Sequence, residues 1–191
     1  SPANLNFLLG RWARGARIAE TARRMVLGQL VAMRGGGLHD HLGGGFHRYA
    51  TDRAWRIPHF EKMLYDQALL AEVYLDAYRA SGDTRWADTA RGVFTYVARD
   101  LTSPDGAFFS AEDADSEGEE GRFYAWTPSQ LEAVLGTEPA RRFAHHYGVT
   151  EHGNFEHGST VLYEAHPAAD ATRLDELKDA RSRLLVARSQ R

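Results

Sequence analysis

Apolar residues recur every three or four positions in three stretches of the chain, which is the spacing of an amphipathic α-helix. The first stretch covers residues 18–33 and stops at Gly35, because glycine readily adopts a left-handed cap. The second covers residues 63–78 and is apolar nearly all round, which predicts an inner helix buried on several sides. The third covers residues 86–97 and follows a break in which Asp83 can cap it. The short break predicts an antiparallel helical hairpin.

The second half of the chain combines short aromatic segments with further helical patterns. After a turn at residues 102–106, the segments AFFS and RFYAW flank the acidic stretch SAEDADSEGEEG, which predicts a β-hairpin with a long acidic loop. The run TPSQ from Thr127 predicts a capped helix that ends at Gly136. A short helix at 139–147, a strand at 160–163 and a last helix over 174–185 follow. The pattern predicts one all-α domain, residues 1–191, with a small β-hairpin insertion.

Composition narrows the function classes. The chain has 191 residues, 43% of them hydrophobic, which suits one domain with a core. Its formal net charge of -3 gives no basic surface for nucleic acid. There is no cysteine, so disulfides and thiol redox chemistry are excluded in these residues. No apolar run approaches the roughly 20 residues of a membrane span, and we expect a soluble, cytoplasmic chain without a membrane partner.

The segment GGGLHDHLGGGFHRY, residues 35–49, is the first candidate for a site. Phosphate binding is disfavoured, because the sequence has no G-x-x-x-x-G-K-[ST] and no strand precedes the glycines. Glycine also allows a backbone to lie close to another element. We therefore expect this glycine-histidine segment to border a ligand cavity, with residues 46–49 pointing into it.

A metal site is the second possibility for this region. Its histidines, with one glutamate, could ligate a metal, but no HExxH is present. The group consists of His39, His41, His47, His59 and Glu61. Structural, catalytic and substrate-contacting histidines stay open as alternatives, and we expect neither a metal nor a cofactor. The acidic stretch resembles a calcium loop from Asp113, yet Tyr124 occupies the twelfth position. It is either a solvated loop or, with its aromatic neighbours, part of a sugar site.

Three blocks of sequence resemble a known family. They are GGGLHDHLGGGFHRYATDRAW, RIPHFEKMLYDQALLAEVYLDAY and DGAFFSAEDADSEGEEGRFYAWT. In this order they are similar to thioredoxin-domain-containing proteins related to spermatogenesis-associated protein. The resemblance implies an (α/α)6 toroid, similar to N-acylglucosamine 2-epimerases and six-hairpin glycosidases, of which this chain would form about the first half. The family's thioredoxin-like domain and its cysteines are absent from these residues.

The resulting hypothesis is a carbohydrate-active domain whose glycine-histidine segment and acidic stretch converge on one cavity. Sugar epimerisation or isomerisation would use His47 and His59 as acid and base, whereas glycoside cleavage would use the carboxyl groups of Glu61, Asp113 and Asp115. The substrate would be held by Arg48, Tyr49, Trp55, Tyr65 and Trp126. The alternatives are a non-catalytic toroid that binds a sugar or a protein and supports the thioredoxin-like domain, and a metal-dependent enzyme. A half toroid exposes an apolar face, so we also expect self-association and weak activity.

Overall fold

The computed structural model describes residues 2–15, 17–116, 118–166, 168 and 170–191. These residues are mostly helical, and their short strands form three antiparallel pairs. The α-helices are α1 (Pro2–Ala13), α2 (Ala19–Gly35), α3 (Leu64–Ser81), α4 (Thr84–Asp100), α5 (Pro128–Leu135), α6 (Thr137–Tyr147) and α7 (Ala171–Arg188). The strands are β1 (Tyr49–Ala50), β2 (Pro58–His59), β3 (Lys62–Met63), β4 (Ala111–Glu112), β5 (Asp115–Ser116) and β6 (Glu119–Glu120). A 3-10 turn covers Glu156–Gly158.

The first four helices share one hydrophobic core. Helix α1 packs on α2 and α3, and α3 packs on α4. The three helices that periodicity predicts are confirmed, and the Asp83 carboxylate accepts a hydrogen bond from the Arg85 backbone N–H at the start of α4. Helix α3 is not buried on several sides, since Leu69 and Tyr78 on it are exposed. Helix α1 was not predicted, although Leu5 and Leu9 lie one turn apart and are both buried.

The predicted β-hairpin is wrong in its pairing. Strand β4 pairs with the distant β3, and β5 pairs with β6 inside the acidic stretch itself. The aromatic segments contribute isolated bridges instead, from Phe108 to Thr102 and from Trp126 to Thr160. The rings of the second aromatic segment are buried in two different cores, so the segment cannot lie flat as one strand. Of the predicted strand at 160–163, the bridge at Thr160 is what forms.

Helices α5, α6 and α7 form a second core with Trp126. The predicted capping box is confirmed, because the Thr127 side chain accepts from the Gln130 backbone and the Gln130 side chain accepts from the Thr127 backbone. Helix α6 begins at Thr137, slightly earlier than the pattern indicates, and α7 extends to Arg188. Within the described part of the chain, no helix has both the length and the apolar character needed to cross a membrane.

Candidate functional site

The glycine-histidine segment is fixed by close backbone contacts. The Gly37 N–H donates to the Trp55 carbonyl at 2.7 Å, and the His47 N–H donates to the Leu38 carbonyl at 2.9 Å. A Cβ atom added at Gly37 would lie 1.9 Å from the Arg56 carbonyl oxygen, so only glycine fits there. The segment therefore lies directly against the loop at residues 51–57 and holds it in place.

A cavity of about 680 Å³ lies between this loop and the helices α1, α2 and α3. We call it the Asp66 cavity. Its polar and aromatic lining residues are Gln29, His47, Arg48, Tyr49, Asp52, Arg53, Trp55, Tyr65 and Asp66, and the remainder is mainly apolar. The structure therefore brings five of the predicted site residues to one cavity, namely His47, Arg48, Tyr49, Trp55 and Tyr65. Phe46 instead is buried in the core and stacks on Tyr74.

The Asp52 carboxylate shapes the loop that carries Trp55. It accepts hydrogen bonds from three backbone N–H groups, those of Ala54 at 2.6 Å, Arg56 at 3.1 Å and Ile57 at 2.6 Å. Burial acts to raise the pKa of Asp52, but these donors outweigh it and lower the pKa below its usual value. Trp55 has a left-handed backbone with φ of 60°, which is strained for any residue except glycine. The hydrogen bonds around Asp52 maintain this backbone conformation, and Trp55 lines the cavity.

Asp66 differs from Asp52 because its carboxyl group lacks donors. It lies in the first turn of α3, and its Oδ2 atom is buried with no hydrogen-bond partner among the residues that the structure describes. Burial raises the pKa of Asp66, Arg48 partly opposes this, and Glu61 adds to it. A carboxyl group with a raised pKa holds its proton to higher pH and can donate it to a bound molecule. No sequence pattern pointed to Asp66, because a carboxylate at a helix start is normally solvated.

His47 is neutral and almost completely inaccessible, with 2% of its surface exposed. Its Nδ1 atom lies 2.8 Å from the Phe60 carbonyl, to which it donates as the neutral tautomer. Burial, and next the charge of Lys62, lower the pKa of His47 to about 3. Its ring also packs edge-on against Tyr124, with the centroids 4.5 Å apart. At neutral pH it can accept a hydrogen bond at Nε2 but cannot act as a cationic acid.

Charged residues at the rim link the cavity to the acidic stretch. Arg48 pairs with Glu61 at 2.7 Å and hydrogen-bonds to Tyr65. His59 stacks on Tyr49, and its Nδ1 lies 2.7 Å from the carboxylate of Glu120. The acidic stretch therefore approaches the glycine-histidine segment through the His59 and Glu120 pair, but none of its described residues lines the Asp66 cavity.

Five predicted residues are not part of the lining of the Asp66 cavity. His59 and Glu61 lie at its rim, and the other three are Asp113, Asp115 and Trp126. Asp113 and Asp115 are exposed, and the Asp113 carboxylate accepts from the Asp115 backbone N–H. Trp126 is 1% exposed within the second core, with Arg191 stacked on its ring. A ligand in the Asp66 cavity does not reach them. Within the residues that the structure describes, no three His, Asp or Glu side chains come together as a metal site would require.

A buried ion cluster fixes the opposite side of the glycine-histidine segment. The Asp40 carboxylate accepts from Lys62 Nζ at 2.8 Å and from both terminal nitrogens of Arg188 at 2.9 and 2.8 Å. Lys62 also lies over the Tyr96 ring, 4.2 Å from its centroid. Burial acts to raise the pKa of Asp40, but the two cations outweigh it and lower the pKa well below its usual value. This cluster joins the segment to β3 and α7.

Comparison with known proteins places the chain among relatives of much greater length. No protein-family model matches it. It is 47% identical to human spermatogenesis-associated protein 20 over 171 residues, which are 81% of this chain and 22% of that protein. The rat protein of the same name is 42% identical over 195 residues, covering 93% of this chain and 25% of that protein. The mouse protein is 43% identical over 188 residues, covering 85% and 24%. The chain thus spans about a quarter of the curated relatives that it matches, and this homology supports its membership of the spermatogenesis-associated protein 20 family.

Proposed function

We propose that the Asp66 cavity binds a carbohydrate and that Asp66 exchanges a proton with it, in an epimerase or isomerase reaction. The observation that carries the proposal is one cavity that three aromatic side chains line together with Asp66, whose buried Oδ2 has no hydrogen-bond partner among the described residues. Aromatic faces pack on the apolar faces of sugar rings, and a few polar groups then select the hydroxyls. A volume of about 680 Å³ is ample for a monosaccharide or a disaccharide.

The two carboxyl groups of the lining favour proton transfer over glycoside cleavage. Glycosidases need an acid and a second carboxylate that is free to act as nucleophile or base. In this cavity Asp66 suits the acid, whereas both oxygens of Asp52 already accept backbone hydrogen bonds. Asp66 would protonate the carbonyl oxygen of the open-chain sugar while Nε2 of His47 accepts the proton released from the adjacent carbon, which forms an enediol. Return of a proton to that carbon and of the oxygen-bound proton to Asp66 re-forms the carbonyl and restores both groups. The Arg48 guanidinium would stabilise the charge that develops on that oxygen.

The proposal includes the architecture that the family resemblance implies. Helix α1 packs on α2 and α3 packs on α4, which suits the beginning of an (α/α)6 toroid with the Asp66 cavity at one end. The further helical pairs and a preceding thioredoxin-like domain would then belong to the part of the relatives that this chain does not span. In that arrangement the apolar face left without neighbours would promote self-association, which light scattering would detect.

Sugar binding is tested by saturation-transfer NMR with a panel of free and N-acetylated hexoses and disaccharides. We expect Trp55→Ala to weaken binding by about tenfold, because an aromatic face contributes on the order of 1 kcal/mol. Asp66→Asn should retain binding and abolish any conversion seen in the sugar spectrum. Asp113→Asn, at an exposed carboxylate outside the cavity, is the matched control and should change neither.

Two outcomes separate the proposal from its alternatives. If no sugar of the panel binds, the carbohydrate assignment is wrong. If a sugar binds through Trp55 but Asp66→Asn leaves conversion unchanged, or none occurs, the cavity is a binding site without the proposed proton transfer.

A further inference from the structure

A second cavity, of about 580 Å³, lies between α4, α7 and the glycine-histidine segment. It shares no lining residue with the Asp66 cavity. The segment contributes to both, since Leu38 lines the Asp66 cavity and the next residue, His39, lines the second. Five cationic side chains from three helices line the second cavity, and we call it the cationic cavity. They are Arg34, Arg85, Arg99, Lys178 and Arg181.

The carboxylates of this cavity are already compensated. Asp40 binds Lys62 and Arg188 in the buried ion cluster. Asp88 pairs with Arg91 at 2.7 Å. The positive charges that line the cavity are therefore not cancelled by the two acidic residues that line it with them.

The cations fall into two groups. Arg34, Arg85 and Arg99 each pair with an acidic residue, as Arg34 does with Glu164 at 3.0 Å. Lys178 and Arg181 lie about one turn apart on α7, and neither has an acidic partner among the residues that the structure describes. An anion entering the cavity would thus meet two cations free of ion pairs, with three further guanidinium groups around them.

His39, which also lines the cationic cavity, has a ring nitrogen that is not engaged in a hydrogen bond to a described residue. Its Nδ1 atom is buried and finds no hydrogen-bond partner in the described ranges of the chain. Burial, and next the neighbouring His41 and Arg34, hold the pKa of His39 well below its usual value. The neutral ring can donate one N–H to an anion. The glycine amides nearby are not available, because the Gly43 N–H donates to the Asp40 carboxylate and the Gly44 N–H to the Asp40 carbonyl.

We propose that the cationic cavity binds a small molecule that carries a phosphate group, held by Lys178 and Arg181. Phosphate suits cations that approach from several elements, because its oxygens accept charge-assisted hydrogen bonds from several directions. A cavity of about 580 Å³ also exceeds the space that an inorganic ion needs, so the occupant is a phosphate ester with an organic part.

Titration with inorganic phosphate at constant ionic strength tests the site, with the His39 ring signal followed by NMR and affinity measured by calorimetry. We expect saturable binding and a shift of the His39 signal. The double variant Lys178→Ala with Arg181→Ala should weaken binding at least about tenfold, because each charge-assisted bond contributes on the order of 1.5 kcal/mol or more. The same helix offers a matched control, Arg173→Ala with Arg183→Ala, which removes equal charge outside the cavity and should leave affinity within about twofold.

Three results would overturn the proposal. They are an absence of saturable binding, an equal loss in both double variants, and a His39 signal that does not move as phosphate binds. The His39 readout uses the unaltered protein, so it holds even if a variant folds poorly.

Discussion

Asp40 lies within the glycine-histidine segment, and Asp66 lines the cavity beside it. The surroundings of these two carboxyl groups are opposite. The Asp40 side chain is 3% exposed, yet its oxygens accept three charged hydrogen bonds from Lys62 and Arg188. Asp66 borders a cavity, and within the described part of the chain one of its oxygens has no donor. Consequently the pKa of Asp40 is lowered and that of Asp66 is raised.

The difference shows that depth alone does not decide the role of a buried carboxyl group. A carboxylate whose oxygens all accept hydrogen bonds is held ionised and fixes its neighbours, so it stabilises the fold. A buried carboxylate with an oxygen that lacks a donor destabilises the fold when it is ionised. Such a carboxylate is retained where a ligand can supply the missing hydrogen bond. The predictions below test this contrast.

Asp40→Ala should have the largest effect. It leaves Lys62 and Arg188 buried without their common partner, and the loss of one member of a buried ion group costs about 3–5 kcal/mol. Urea denaturation at pH 7 measures it. Asp113→Ala, at an exposed carboxylate, should stay within about 0.5 kcal/mol. If the two variants unfold at similar urea concentrations, the ion cluster is not what holds this side of the segment.

Gly45→Ala should disturb the same side by a steric route. Gly45 accepts from the Asp40 N–H, has φ of 75°, and a Cβ atom there would lie 2.5 Å from the Tyr96 ring. We expect a loss of about 2–4 kcal/mol from strain and crowding together. Gly106→Ala is the control for strain alone, because Gly106 has φ of 82° with no atom within 4 Å, and it should cost about 1 kcal/mol. Equal losses of unfolding free energy in the two variants would mean that the Tyr96 ring moves aside at no cost.

Asp66→Asn should stabilise the protein at pH 7, by less than about 1 kcal/mol because the group is partly solvated. A raised folded pKa gives stability that is full below the unfolded pKa and lost as pH rises through the folded pKa. The neutral amide avoids that loss, so the gain should vanish in acid. Asp40 has the opposite sign, since its contribution is present above the unfolded pKa and lost as pH falls. Urea unfolding of both variants from pH 3 to 8 checks the two slopes, and parallel slopes would refute the contrast.

Glu120→Gln should have the smallest effect, below about 0.5 kcal/mol, because the His59 pair is close to solvent. The amide oxygen can still accept the Phe60 N–H that Glu120 now binds at 3.1 Å. Urea denaturation compares this variant with Glu119→Gln, which alters a carboxylate that pairs with Arg122 at 3.5 Å instead of with His59. A loss above 1 kcal/mol would show that the acidic stretch carries more of the fold than its exposure indicates.

Local patterns predicted most of the helices, and long-range pairing accounts for what they missed. The capping box at Thr127 and the cap at Asp83 need only neighbouring residues, and both are present. Helix α1 had a usable signal in the one-turn spacing of Leu5 and Leu9. The pairing of β3 with β4 had none, because charge and aromatic content do not identify a partner strand.

The residues of the site likewise fall into those that a local sequence pattern identified and those that depend on long-range packing. Residues 47–49 and Trp55 were identified because they follow a glycine-rich segment, whereas Asp66 was missed because its burial depends on the loop and α1. Asp40 in a loop of glycines looks like a solvated charge. Its partner Arg188 is 148 positions away, a distance that no local pattern spans.

That separation governs the order in which the chain can assemble. Joining residues 148 positions apart costs conformational entropy before any contact compensates for it, so we expect the bond between Asp40 and Arg188 to form late in folding. Until α7 docks, Asp40 remains hydrated and Lys62 is its available counter-charge. Docking of α7 would therefore exclude water from the Asp40 side of the glycine-histidine segment and complete one wall of the cationic cavity in the same step.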